Sequence, residues 1–119
     1  MEILKESQPI ARKEHTCMFC GGKIAKGQKY FRQTNVIDGE LGDFICHTEC
    51  NGLAHELDMY NDCDPNYGLS PEEFVETVNQ YIYDNHYDQE TDDIAVEWQD
   101  LTLYEEVCKI LKELDNDKD

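Results

Sequence analysis

Apolar positions along the chain repeat in two different ways. From Gln28 to Val36 (QKYFRQTNV) the composition is rich in strand formers. The turn chemistry of Asp38-Gly39-Glu40-Leu41-Gly42 then leads into a second short strand at Asp43 to Cys46, which together predict a β-hairpin. After it the spacing becomes helical. Leu53, Leu57 and Tyr60 share a face, so a helix is expected from about His47 to about Tyr60. The segment Asp62 to Gly68 (DCDPNYG) has loop composition, and Ser70-Pro71-Glu72-Glu73 is a helix start with Ser as N-cap, Pro at the first helical position and Glu three residues after the cap. Phe74, Val75, Val78, Tyr81 and Ile82 form the buried stripe of that helix, which should end near Asn85. Asp84 to Asp93 is too acidic to bury and is expected to be a connector. Leu103, Val107, Ile110, Leu111 and Leu114 then repeat at helical spacing, and Thr102 with Glu105 forms a capping box, predicting a last helix over about 102–114. Ile94, Val96 and Trp98 alternate like a strand, whereas Ile94, Trp98 and Leu101 fit one helical face; the pattern leaves both open.

Glycine and charge divide the chain at the same place. All seven glycines lie within the first 68 residues, and from Glu72 onward there is neither Gly nor Pro. The fold class expected is therefore α+β, with a module over 1–60 followed by an acidic, mostly helical region over 61–119, either separate or packed on it as one domain. Residues 1–50 carry seven basic and seven acidic side chains, while residues 51–119 carry 20 acids against Lys109, Lys112 and Lys118, so the net charge of −17 belongs to the second half. Such a half is either a solubilising surface or a face that docks on a basic partner or mimics nucleic acid. Hydrophobic residues at 39% and aromatics at 10% are enough for a folded chain, and the mean hydropathy of −0.72 predicts a wet surface. At 119 residues the core is modest, so a covalent or metal staple would help it. Met1 to Lys13 contains no apolar run of the kind a secretory signal uses, and no stretch approaches a membrane span, so a cytoplasmic setting is expected. Six cysteines in a reducing compartment point to metal ligands or free thiols rather than disulfides.

The chemistry concentrates in Cys17-Met18-Phe19-Cys20-Gly21-Gly22 and, after 26 intervening residues, His47-Thr48-Glu49-Cys50. A Cys-x-x-Cys turn aims two thiolates at one point, and the glycine pair permits the tight backbone such a knuckle needs. His47 and Cys50, three residues apart, share one face of a helix's first turn. Two such pairs of soft and borderline ligands make a tetrahedral zinc site: Cys17, Cys20, His47 and Cys50, one structural ion per chain. Cys46, four residues before Cys50, competes with His47 as the alternate ligand; His47 is preferred because Cys46 ends a strand. Cys63 and Cys108 have no partner in sequence. Four filled positions leave no place for a reactive water, so no enzymatic role is expected.

Knuckle, hairpin, then a helix bearing the second pair is the treble-clef order. In it the chain resembles zinc fingers of the poly(ADP-ribose) polymerase type, over about residues 15–55, and nothing resembles that polymerase's catalytic domain. The resemblance implies the same four zinc ligands and matches Lys23-Ile24-x-Lys26-Gly27-x-Lys29-Tyr30 to the start of the hairpin.

Two weaker patterns remain. Asp62, Asp64, Asn66, Ser70 and Glu73 fall on positions 1, 3, 5, 9 and 12 of an EF-hand calcium loop, but Tyr67 stands where the loop requires Gly. The same residues read equally as a turn followed by the Ser70 cap. Lys23, Lys26, Lys29 and Arg32 could contact nucleic acid from the hairpin, or simply be a solvated face. The function expected is a small intracellular zinc-binding adaptor whose acidic surface meets a basic protein partner. The alternatives are an acidic nucleic-acid mimic that inhibits a nucleic-acid enzyme, of the anti-restriction or anti-CRISPR kind, and direct nucleic-acid binding by the finger.

Overall fold

The computed structural model describes residues 1–117. An N-terminal β region carries the Cys/His motif and a mostly helical part follows it, an α+β fold. Strand β1 (Glu2–Ser7) pairs antiparallel with β4 (Tyr30–Ile37), which pairs antiparallel with β5 (Glu40–His47), giving the sheet order β1-β4-β5. Two short strands, β2 (His15–Thr16) and β3 (Lys23–Ile24), flank the knuckle. The β4–β5 turn is tighter than the pattern suggested. Asp38 and Gly39 alone make it, at φ 53° and 81°, because a two-residue turn with both φ positive matches the right-handed twist of the paired strands.

Strand β1 is absent from the expectations above, and its sequence explains why. Ile3 and Leu4 are adjacent rather than alternating and remain 50% and 52% exposed, with a register shift between Ile3 and Lys5. Pairing to β4 decides that segment, and period-2 patterning does not.

The helix expected over about 47–60 is two helices, α1 (Thr48–Glu56) and α2 (Met59–Asp62), separated by Asp58 in a left-handed conformation at φ 55°. Burial drives the break. The Tyr60 hydroxyl donates to Asn51 Oδ1 at 2.8 Å. Nine residues of continuous helix would put these two side chains on opposite faces. The break also turns Met59 into the core beside Leu53 and Ala54.

Helix α3 (Pro71–His86) begins as predicted, with Ser70 Oγ accepting the Glu73 N–H at 3.1 Å, and buries Phe74, Val78 and Ile82. The acidic connector contains a small hairpin, β6 (Tyr87–Asp88) with β7 (Asp93–Ile94). Residues 94–98 are neither one strand nor one helix: Ile94 ends β7, and Val96–Trp98 is a 3₁₀ turn that buries Trp98 under the Lys109 ammonium, 4.4 Å from its ring. Helix α4 (Leu103–Asn116) starts with the full Thr102/Glu105 capping box and buries Val107 and Ile110. His86 Nε2 lies 2.9 Å from Glu113 Oε2, and the Tyr81 hydroxyl donates to Glu113 Oε1 at 3.0 Å, tying α3 to α4. One hydrophobic cluster includes Cys17 and Phe19 of the knuckle, Leu53 of α1, Phe74 of α3 and Ile110 of α4.

If burial of Met59 and Tyr60 requires the left-handed residue, Asp58→Ala destabilises the protein by about 1 kcal/mol in urea unfolding, whereas Asp58→Gly costs no more than a few tenths. Stabilisation by Asp58→Ala would mean that a continuous helix is tolerated.

Candidate metal centre

Cys17 opens the knuckle after β2, Cys20 and Gly21 close it, His47 ends β5 and Cys50 lies in the first turn of α1. Backbone bonds set this geometry: Gly21 N–H donates to Cys17 O at 3.0 Å and Cys17 N–H to Gly22 O at 2.8 Å. Gly21 sits at φ 74°, where a side chain would be strained. Met18 N–H donates to Ile45 O at 2.9 Å, which fixes the knuckle to β5 and hence to His47 two residues on.

The ligand atoms of Cys17, Cys20, His47 and Cys50 all lie within 4.8 Å of one another. Cys17 and Cys50 sulfurs are 3.8 Å apart; His47 Nδ1 is 3.3 Å from the Cys20 sulfur and 3.8 Å from that of Cys50. A tetrahedron with metal–sulfur bonds of ~2.3 Å and a metal–nitrogen bond of ~2.0 Å has edges of about 3.8 Å and about 3.5 Å. The donor set therefore fits a tetrahedral thiophilic cation. His47 Nε2 is 3.0 Å from the Lys23 carbonyl, so that nitrogen carries the proton and donates it, leaving the Nδ1 lone pair to face the sulfurs.

The amide groups support negative charge on the sulfurs. Cys20 and His47 N–H groups each donate to the Cys17 sulfur at 3.4 Å, and Gly22 N–H donates to the Cys20 sulfur at 3.4 Å. Without a cation the three thiols compete. Hydrogen bonds from Cys20 and then Cys50 hold Cys17 well below the usual thiol range. Bonds with Cys17 and then Cys20 push Cys50 up, with burial adding to them, and Cys20 is raised chiefly by its bond to Cys17. Only a positive ion lets all three ionise together.

Cys46 stands outside the cluster. It is fully buried, its sulfur takes the Asn51 N–H, and burial foremost raises its thiol above the ordinary value. Among the described residues the Cys17/Cys20/His47/Cys50 group is the sole gathering of three or more His, Cys, Asp or Glu ligands, so Asp62, Asp64 and Glu73 are not gathered at one point. Asp64 Oδ1 instead accepts the Asn66 N–H at 2.8 Å, and Glu73 Oε1 accepts the Ser70 hydroxyl at 3.1 Å. Of the hairpin cations, Lys23 pairs with Glu14 at 2.9 Å and Arg32 with Asp43 at 2.6 Å, while Lys26 and Lys29 are exposed.

Two contributors had no local signal in the sequence. Lys23 acts through its carbonyl and not its ammonium. Tyr104, from α4, stacks on His47 with centroids 4.0 Å apart, a contact across 57 positions that only tertiary folding creates. The chain matches no protein-family profile, no curated protein and no solved structure.

A Cβ on Gly22 would sit 3.3 Å from the Cys20 sulfur and 3.7 Å from the His47 ring. Gly22→Ala is expected to weaken cobalt or zinc affinity about tenfold, the effect typical of disturbing groups that orient ligands. Unchanged affinity in a competitive chelator titration would show that the cage relaxes freely.

Proposed function

We propose that this chain is a zinc-stapled interaction module and not an enzyme: one structural zinc is held by Cys17, Cys20, His47 and Cys50, and an acidic surface meets a basic protein partner. The observation that carries the metal assignment is the Cys₃His set itself. Its spacings suit zinc, and four protein ligands complete the tetrahedron without a position for substrate or water. The order knuckle, β4–β5 hairpin and α1 supports a treble-clef reading, and the likeness to poly(ADP-ribose) polymerase-type fingers rests on ligand spacing alone.

The partner follows from charge. Glu72, Glu73, Glu76, Asp84, Glu90, Asp92, Asp93, Glu97, Asp100 and Glu105 are exposed, and among the described residues none of them forms a salt bridge. An uncompensated field of this sign attracts basic surfaces and repels phosphates. The same observation favours a second reading, in which the acidic helices occupy the nucleic-acid groove of an enzyme. Direct nucleic-acid binding is less favoured because two of the four hairpin cations are already paired. No helix among the described residues is long and apolar enough to cross a membrane.

Elemental analysis of protein purified without chelator or affinity-column metal is expected to give about one zinc per chain, lost in His47→Ala and retained in Cys46→Ala. Absence of zinc from the wild-type protein would remove the metal assignment and the treble-clef reading together. In gel-shift assays neither duplex nor single-stranded DNA should bind. A salt-sensitive shift would favour direct binding, and loss of a nuclease's own DNA shift on adding this protein would favour mimicry over the adaptor reading.

A further inference from the structure

The face of the sheet that bears Gln33, Asn35 and Phe44 is covered only in part. The loop and helix start at 63–71 arch over it, leaving a cleft of about 720 Å³ open to solvent. That volume lies in the range typical of ligand sites. Its walls are apolar, formed by Ile3, Phe19, Phe44, Tyr60, Tyr67 and Leu69.

The polar groups within it form a directed chain. Asn35 Nδ2 donates to Gln33 Oε1 at 3.1 Å, and Gln33 Nε2 donates to Glu6 Oε2 at 3.2 Å. Both amides are only 8% exposed. Each keeps one N–H, and Asn35 keeps its carbonyl oxygen, without a partner among the described residues. No fully buried side-chain polar atom lacks a partner, so the unpartnered Asn35 Oδ1 is not fully buried, and both amides belong to residues that line the cleft. They offer donors and an acceptor side by side, the complement of a peptide backbone.

Carboxylates outnumber cations in the cleft, where the Met1 ammonium is already engaged, donating to the Pro65 carbonyl at 3.2 Å. Glu6, Asp43 and Asp64 line it, and no lysine or arginine does. Asp43 is paired with Arg32, whereas Glu6 Oε1 has no partner among the described residues. The knuckle contributes directly, because Met18 and Phe19, the two residues between the first metal ligands, both line the cleft. Met18 is exposed and unbranched, a side chain suited to adapting to an incoming apolar group.

We propose that this cleft docks an extended segment of a partner protein in which one aromatic or branched apolar residue is flanked by lysine or arginine, a proposal that rests on the interaction-module reading and locates its site. The apolar residue fills the space among Ile3, Phe44 and Tyr67. The amides of Gln33 and Asn35 meet the segment's backbone, and Glu6 receives the flanking cation.

The test is an NMR titration of the isotopically labelled, zinc-loaded full chain with three acetylated and amidated peptides: Ser-Lys-Phe-Lys-Ser, Ser-Glu-Phe-Glu-Ser and Ser-Lys-Ser-Lys-Ser. The first should shift the side-chain amides of Gln33 and Asn35 and the backbone of Phe44, with the other two at least roughly tenfold weaker. Glu6→Gln should abolish the preference for Lys over Glu flanks, and Tyr67→Ala should weaken all Phe-containing peptides; both positions are exposed, and zinc content confirms that each variant is folded. Shifts confined to α3 and α4 would overturn the cleft while leaving an acidic interaction module in place. Silence of the whole spectrum at millimolar peptide, or an unchanged preference in Glu6→Gln, would overturn it too, and the module reading would then stand or fall on its own zinc and DNA measurements.

Discussion

Three cysteine sulfurs and one imidazole, brought within 4.8 Å from two segments of chain, are the constraint around which the rest is arranged. In a reduced protein this is an unfavourable gathering by itself, since ionising one thiol suppresses the next. The fold surrounds the sulfurs with three backbone N–H donors and turns the imidazole lone pair toward them through the Lys23 carbonyl. Such preparation for negative charge is what a cation requires and what an uncharged core would not need.

From that point the structure spreads in two directions. The knuckle sends Phe19 inward, stacked on Phe74 of α3 with centroids 4.5 Å apart and edge-on to Phe44 of β5 at 4.7 Å. The imidazole in turn stacks on Tyr104 of α4. The cysteine-bearing turn and the imidazole thus each hold one of the long acidic helices. For a chain of this length, whose core is small, both helices are thereby coupled to one Cys/His cluster.

Charge is arranged around this centre without being part of it. The acids that dominate the second half lie on the outer faces of α3, the β6–β7 hairpin and α4, away from the buried Phe74, Val78, Val107 and Ile110 stripe. At the apolar cleft, Glu6 from the first half and Asp64 from the second both border the opening. In the proposed interaction module, apolar contact there would supply affinity and the carboxylates would reject acidic competitors.

The sequence by itself determined the Cys/His cluster, the β4–β5 hairpin, the start of α3 and the capping box of α4. Each of these depends on residues a few positions apart: Cys17 with Cys20, Asp38 with Gly39, Ser70 with Glu73, Thr102 with Glu105. Local sterics and hydrogen bonds act over that range, so the pattern is legible before anything packs. Tertiary structure decided the rest. Strand β1 forms because β4 offers an edge, the helix after His47 breaks at Asp58 because Tyr60 must return to Asn51, and the 94–98 segment divides between a strand and a 3₁₀ turn as Trp98 is buried. The calcium-like spacing at 62–73 resolves into a turn and a cap, and the stack of Tyr104 on His47 and the cleft over Gln33 join residues far apart in the chain. Burial is a property of the whole molecule, and no window of the chain contains the surfaces against which its residues will be covered.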